Sequence, residues 1–104
     1  MNRQVAERRK QRRLPVRIGS LWKSTSKSGM GHVSNLSVGG CRVTSGAALV
    51  EGDQTVLTMY FGQNGSMTLQ GRVVSIGANG IGIKFEKMTG SLEYQINEVL
   101  ASLR

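Results

Sequence analysis

Short segments that alternate between apolar and polar residues, with tight-turn signals between them, fill most of this sequence. Residues 14–22 and 81–85 both follow a two-residue period. Because successive side chains of a strand point to opposite faces, this period predicts strands with one buried face. Asn64-Gly65 and Asn79-Gly80 stand between such segments and predict hairpins with type I′ turns, whose central residues both need positive φ. The chain is therefore expected to form an antiparallel sheet.

The chain as a whole divides into about six predicted strands and one helix. After the strands, the apolar period becomes that of an amphipathic helix over about residues 89–103, with Thr89 or Ser91 as its N-cap. Short strands with hairpin turns, followed by one helix, predict a mainly β fold: a small antiparallel β-barrel with the helix packed on it. The predicted strands cover residues 14–22, about 30–36, 41–44, 55–61, 67–76 and 81–85.

The length of 104 residues suits one domain. No run approaches the roughly 20 apolar residues that cross a bilayer, so no membrane span is expected. Residues 1–13 lack the apolar stretch of a secretory leader. Cys41 is the only cysteine, which excludes an internal disulfide and fits a reducing compartment, so we expect a cytoplasmic protein.

The basic residues are concentrated at the N-terminus. The formal net charge is +8, and residues 1–17 hold seven of the 14 Lys and Arg but one of the six Asp and Glu. We therefore divide the chain into a flexible basic arm, residues 1–13, and a nearly neutral barrel with its helix, residues 14–104. Such an arm attracts polyanions: nucleic acid, nucleotide phosphates or an anionic membrane surface. Because it is rich in Arg, it can pair two phosphate oxygens, or the O6 and N7 edge of guanine, in a bidentate manner.

Groups that could carry catalysis are scarce. His32 is the only histidine and Asp53 the only aspartate, and nothing places His32, Cys41 and a third orienting group together. The acidic residues form no spaced pair typical of hydrolysis or metal binding. The Gly-x-Gly pairs lie between strands, unlike the glycines of a dinucleotide-binding fold. The sequence therefore predicts a protein that is not an enzyme and that has no metal site and no cofactor.

Two short segments have residue types suited to a polar, anionic ligand. The arm contains Arg-x-x-x-Arg in two registers, Arg8/Arg12 and Arg9/Arg13, and we prefer the second because Arg13 directly precedes the first strand. Residues 35–40 read Asn-Leu-Ser-Val-Gly-Gly. An amide and a hydroxyl two residues apart lie on one face of an extended chain, and glycine at the following bend lets a ligand approach the backbone.

Taken together, Arg9-x-x-x-Arg13, a strand and Asn35-x-Ser37-x-x-Gly40 resemble the signature of the PilZ domain family. Residues 80–85 and the helix after them look like the last strand and the C-terminal helix of that family. The likeness extends from about residue 7 to residue 103. It implies a six-stranded antiparallel β-barrel of PilZ type that binds the bacterial second messenger cyclic di-GMP.

The resemblance also implies a role for each motif residue. In that family the arginines hold phosphates and guanine edges, and the strand motif forms the floor under the ligand. An Arg directly before the motif goes with binding of an intercalated ligand dimer. At the first position of the strand motif, where the family more often has Asp, this chain has Asn35. The Asn side chain keeps an acceptor oxygen, adds a donor and removes a charge. Carried over, the ligand-binding residues are Arg8, Arg9, Arg13, Asn35, Ser37, Gly39 and Gly40.

The expected protein is a non-enzymatic cyclic di-GMP receptor. Closure of the arm over the ligand would present a new surface to an unidentified downstream protein in the control of motility, biofilm or exopolysaccharide. Two alternatives stay open. One is a small basic barrel that binds RNA or DNA, for which the few aromatic residues offer little stacking surface. The other is a PilZ-like adaptor that does not bind nucleotide.

Overall fold

The computed structural model describes residues 14–44 and 49–103. The predicted arm, with Arg8, Arg9 and Arg13, lies outside the described residues. The strands are β1 (Leu14–Lys23), β2 (Ser28–Leu36), β3 (Gly40–Thr44), β4 (Gln54–Tyr60), β5 (Ser66–Gly77) and β6 (Gly80–Glu86). One helix within the described part of the chain, α1 (Gly90–Ser102), follows them.

The six strands close into an antiparallel barrel in the order β1-β2-β3-β6-β5-β4, with β4 paired back to β1. This confirms the predicted barrel with a C-terminal helix. The long strand β5 links the two neighbouring hairpins, because its first part pairs with β4 and its second part with β6, and the pairing of β1 with β4 closes the barrel. Bulges interrupt the pairing in β1, β2 and β5, where they bend the strands around the barrel.

The core is the inside of the barrel, and the alternation of the sequence decides which side chains enter it. In β6, for example, Ile81, Ile83 and Phe85 are buried while Lys84 is exposed. Helix α1 covers part of this core with Ile96, which is fully buried. The remaining buried apolar residues are Ile18, Trp22, Val33, Leu36, Cys41, Val43, Leu49, Leu57, Met59, Met67, Leu69 and Val73.

Helix α1 starts at the predicted cap. The Thr89 hydroxyl accepts a hydrogen bond of 3.1 Å from the backbone N–H of Leu92, which satisfies one of the donors that a helix leaves open at its first turn. Glu93 lies in that turn, where a negative charge is favourable. No helix in the described part of the chain is long and apolar enough to cross a bilayer.

One end of the barrel collects the segments that matter most for a binding site. The start of β1 pairs with the end of β2, Leu14 opposite Leu36 and Pro15 opposite Asn35. The turn from β2 to β3 is at this end, and so is the end of β6, from which the chain continues into α1. The point at which residues 1–13 join the barrel therefore lies beside the β2–β3 turn.

Both predicted hairpins are present, but their turns differ from the two-residue type I′ prediction. Between β4 and β5 the connection has five residues, 61–65, and a 3₁₀ turn over Gly62–Asn64. Its positive φ angles belong to Gly62 (66°) and Gly65 (89°). Between β5 and β6 Gly77 pairs with Gly80, so the loop residues are 78–79 and only the glycine of the Asn79-Gly80 pair has positive φ. The sequence located the hairpins correctly and misassigned their turn residues.

We expect Gly71→Ala to destabilise the barrel. A Cβ at this inward-facing position would lie 2.5 Å from Cγ2 of Ile83 and 3.0 Å from the carbonyl oxygen of Lys84, so β5 and β6 would have to separate. Overpacking of this kind costs about 1–3 kcal/mol, which urea denaturation would measure. Gly19→Ala is the matched control, since its Cβ would meet nothing within 4 Å. Equal stability of the two variants would contradict the close packing described here.

Candidate functional site

The turn between β2 and β3 holds the predicted motif residues that the structure describes. Asn35 is half-buried near the end of β2, Ser37 is buried with 2% of its surface exposed, and Gly40 begins β3. Gly39 lies between them in the turn and is half-buried. The structure thus brings Asn35, Ser37, Gly39 and Gly40 together at one end of the barrel. The motif arginines lie outside the described residues.

Ser37 closes this turn with its side chain. Its hydroxyl oxygen accepts hydrogen bonds from the backbone N–H groups of Gly39 (3.2 Å) and Gly40 (3.3 Å) and donates one to the carbonyl oxygen of Gly40 (3.3 Å). The backbone N–H of Ser37 also donates to that carbonyl oxygen at 2.9 Å. The sequence predicted the hydroxyl of Ser37 beside the amide of Asn35 on one open face. The structure instead directs the hydroxyl into the turn, because buried N–H groups need an acceptor.

Gly39 and Gly40 attach the turn to β6. The carbonyl oxygen of Gly39 accepts a hydrogen bond of 2.9 Å from the backbone N–H of Phe85. A Cβ on Gly40 would overlap the carbonyl oxygen of Ile83. Glycine at position 40 is therefore required for the close approach of β3 to β6, quite apart from any ligand.

Asn35 is the described motif residue whose side chain has unused hydrogen-bonding groups. Its side-chain amide makes no hydrogen bond to any residue that the structure describes, while Pro15 of β1 and Arg42 of β3 lie on either side of it. An unused amide offers one acceptor oxygen and two N–H donors. Asn35 is therefore the described motif side chain that can read a polar ring edge.

A shallow cavity of about 380 Å³ lies beside the turn, over the outer face of β3 and β6. Backbone groups and small residues form much of it, so a flat ligand could approach the strands closely. Its lining includes Ser37, Gly39, Gly40, Arg42, Gly82 and Lys84. Sequence reasoning did not single out Arg42 or Lys84. Arg42 could have been noticed, because it follows Gly40 by two residues and so shares its face of β3.

The barrel wall separates the two residues considered for nucleophilic catalysis. Cys41 is buried in the core, and His32 is exposed on the outer side of β2. They cannot form a thiol–imidazole pair. Within residues 14–44 and 49–103, no group of three or more His, Cys, Asp or Glu is placed to hold a metal ion.

Comparison with known proteins gives the family. The family model of the PilZ domain matches residues 7–102, so the chain belongs to the PilZ domain family. No curated protein matches the sequence significantly.

Solved structures of low sequence identity share the fold. The PilZ domain of CeSA from a cellulose-synthesizing bacterium superimposes with a TM-score of 0.71 at 18% identity, covering 88% of this chain and 96% of that one. The PilZ domain of YcgR from Escherichia coli, solved with c-di-GMP, superimposes with a TM-score of 0.77 at 19% identity, covering 92% of this chain and 91% of that one. The Bacillus subtilis inhibitor of motility MotI/DgrA gives 0.72 at 13% identity and is matched over 48% of its length.

We expect Ser37→Ala to destabilise the protein by about 1–2 kcal/mol, because it leaves the N–H groups of the half-buried Gly39 and the buried Gly40 without their acceptor. Urea denaturation would measure the loss of stability. Hydrogen exchange should accelerate at Gly39 and Gly40 in particular. Ser66→Ala removes an exposed hydroxyl that makes no hydrogen bond to a described residue and serves as the control. Unchanged exchange at both glycines would contradict the role of Ser37 in the turn.

Proposed function

We propose that this PilZ domain is a non-enzymatic receptor for cyclic di-GMP, bound at the β2–β3 turn and held by the arginines of the N-terminal arm. The observation that carries the proposal is the juxtaposition, at one end of the barrel, of the Asn35–Gly40 motif with the start of β1. The fold shared with the PilZ domain of YcgR, which was solved with c-di-GMP, supports the same ligand.

The register of β1 supports a contribution from the arm. Leu14 pairs with Leu36, and Arg13 is the residue bonded to Leu14. Successive Cα atoms are about 3.8 Å apart, and five residues span at most about 18 Å. Leu14 therefore lies beside the motif, and a segment joined to Leu14 is long enough for the side chains of Arg9 and Arg13 to reach it.

The chemistry of the two segments is complementary to a cyclic dinucleotide. Arg9 and Arg13 can each pair two phosphate oxygens or the O6 and N7 edge of guanine. Asn35 presents an acceptor and donors to the other edges of the base. Arg8, directly before the motif, provides a further cation, and we propose that it supports binding of the ligand as an intercalated dimer. In this proposal the protein binds the ligand without converting it, so binding needs no catalytic group.

Binding can become a signal through the arm. Arm residues that close over a ligand lose conformational entropy, and charge-assisted hydrogen bonds to the phosphates offset that cost. The closed arm and the ligand together form a surface that the free protein lacks. We propose that a downstream protein recognises this surface, as in other switches that work by ordering a segment.

Exposed aromatic rings are few, which disfavours binding to single-stranded RNA or DNA. Of the five aromatic residues, Trp22 and Phe85 are buried and Phe61 is half-buried against the core. Tyr60 and Tyr94 are exposed, one at the end of β4 and the other on helix α1. Proteins that bind single strands without base readout stack successive bases on a row of aromatic side chains.

Titration calorimetry tests the proposal. Wild-type protein should bind cyclic di-GMP with a micromolar or tighter Kd at near-physiological salt. Arg13→Ala should weaken binding by about 2 kcal/mol or more, roughly thirtyfold, because a bidentate charged contact is lost. Lys23→Ala removes a cation at the far end of β1 and should change little. Absence of binding by the wild-type protein would end the proposal.

A competition titration separates the receptor from a nucleic-acid binder. A short single-stranded oligonucleotide should not displace cyclic di-GMP from the wild-type protein, even when the concentration of its phosphate groups exceeds that of the phosphate groups of the ligand. A basic nucleic-acid-binding barrel would show the reverse order of preference and a steep loss of affinity with salt. Binding of neither ligand would indicate an adaptor that does not use nucleotides.

A further inference from the structure

The cations on the outer wall of the barrel fall into two kinds. Arg72 on β5 is already paired: its Nε lies 2.9 Å from Oε2 of Glu86, and an Nη donates to the carbonyl oxygen of Gly52 at 3.0 Å. Arg42 on β3 and Lys84 on β6 form no ion pair with any residue that the structure describes. Positive charge is thus left uncompensated at one part of the wall.

Strand pairing places these two cations beside the motif turn. Arg42 lies opposite Asn35 on one side and opposite Gly82 on the other, and Lys84 lies opposite Gly40. Directly paired residues of antiparallel strands have Cβ atoms about 5 Å apart. Arg42 and Lys84 therefore flank the cavity of about 380 Å³ that Ser37, Gly39 and Gly40 also line.

Two glycines of β6 are in close contact with neighbouring groups on this part of the wall. At Gly82 a Cβ would overlap the hydroxyl oxygen of Ser75, and at Gly80 it would lie 3.3 Å from Cγ of Arg42. The aliphatic stem of Arg42 thus passes over a backbone without side chains. A negatively charged group would therefore approach through the cavity that Arg42 and Lys84 line, and not over these two glycines.

From this arrangement we propose that Arg42 and Lys84 form a phosphate subsite on the barrel wall, which binds a phosphodiester of the ligand seated on the β2–β3 turn. The inference rests on the proposed function. Arg42 and Lys84 lie outside the two motifs. In this proposal they supply positive charge from strands, in addition to the charge of the arm. A guanidinium can pair two oxygens of the phosphodiester, and an ammonium contributes a point charge.

Calorimetric titration of the full chain with cyclic di-GMP tests the subsite. Arg42→Gln and Lys84→Gln should each weaken the affinity about tenfold, because each removes a charged contact to phosphate. Both variants should also flatten the dependence of log Kd on log salt. Lys84→Arg keeps the charge and should stay within about threefold of the wild-type affinity. Arg42→Lys keeps the charge but loses the bidentate contact, so its affinity should fall between those of the wild type and Arg42→Gln. Lys23→Gln, which removes an equal charge at the opposite end of β1, is the control.

The outcomes separate the subsite from the receptor function. If the wild-type protein binds and both glutamine variants bind as tightly as Lys23→Gln, the subsite is refuted and the receptor function stands. If the wild-type protein does not bind, both proposals fail. Thermal unfolding of each variant shows whether it is folded, and Lys84→Gln, at an exposed position, still tests the subsite if Arg42→Gln, at a half-buried one, unfolds.

Discussion

The hydrogen bonds that close the turn on the Ser37 hydroxyl fix the conformation of the β2–β3 turn, around which the described candidate binding residues are arranged. They hold Gly39 and Gly40 against the end of β2, and the bond from Phe85 to the carbonyl oxygen of Gly39 ties the turn to β6. Because β6 runs on into α1 and β2 pairs with the start of β1, the same turn lies where the start of β1, the end of β6 and the beginning of the chain segment to α1 come together. A buried hydroxyl with this many partners cannot be replaced without leaving backbone groups unsatisfied.

Strand positions were predictable because the barrel has one wet and one dry face. The apolar period of residues 14–22 and 81–85 reports which side chains enter the core, and β1 and β6 follow it closely. The turns were less predictable because tertiary packing overrides their local chemistry. Phe61 packs against the core, so β4 continues into a five-residue connection closed by a bond from Phe61 to the carbonyl oxygen of Gly65. The bulges depend on barrel closure, which no local pattern encodes.

The candidate site divides in the same way. Residues 35–40 could be singled out from sequence because an amide, a hydroxyl and glycines at that spacing suit a polar ligand. The hydrogen-bond partners of the Ser37 hydroxyl could not be predicted from the sequence. Whether this hydroxyl faces a ligand or its own turn depends on how deeply it is buried. Arg42 and Lys84 lie far apart in the sequence and become neighbours only through the pairing of β3 with β6. A count of charge along the sequence assigns most of the positive excess to residues 1–13 and does not reveal this pair.

Charge on the wall and charge on the arm have different energetic consequences. A cation on a strand loses only side-chain freedom when it binds, whereas each arm residue that becomes ordered also loses backbone entropy of about 1–2 kcal/mol. In the proposed complex, contacts from the wall would therefore give affinity at low entropic cost, while contacts from the arm would couple affinity to any ordering of the arm. A ligand held first by Asn35, Arg42 and Lys84 would offer its remaining phosphate oxygens to Arg9 and Arg13. The wall would then set how tightly the ligand binds, and the arm would set how strongly binding changes the surface seen by a partner.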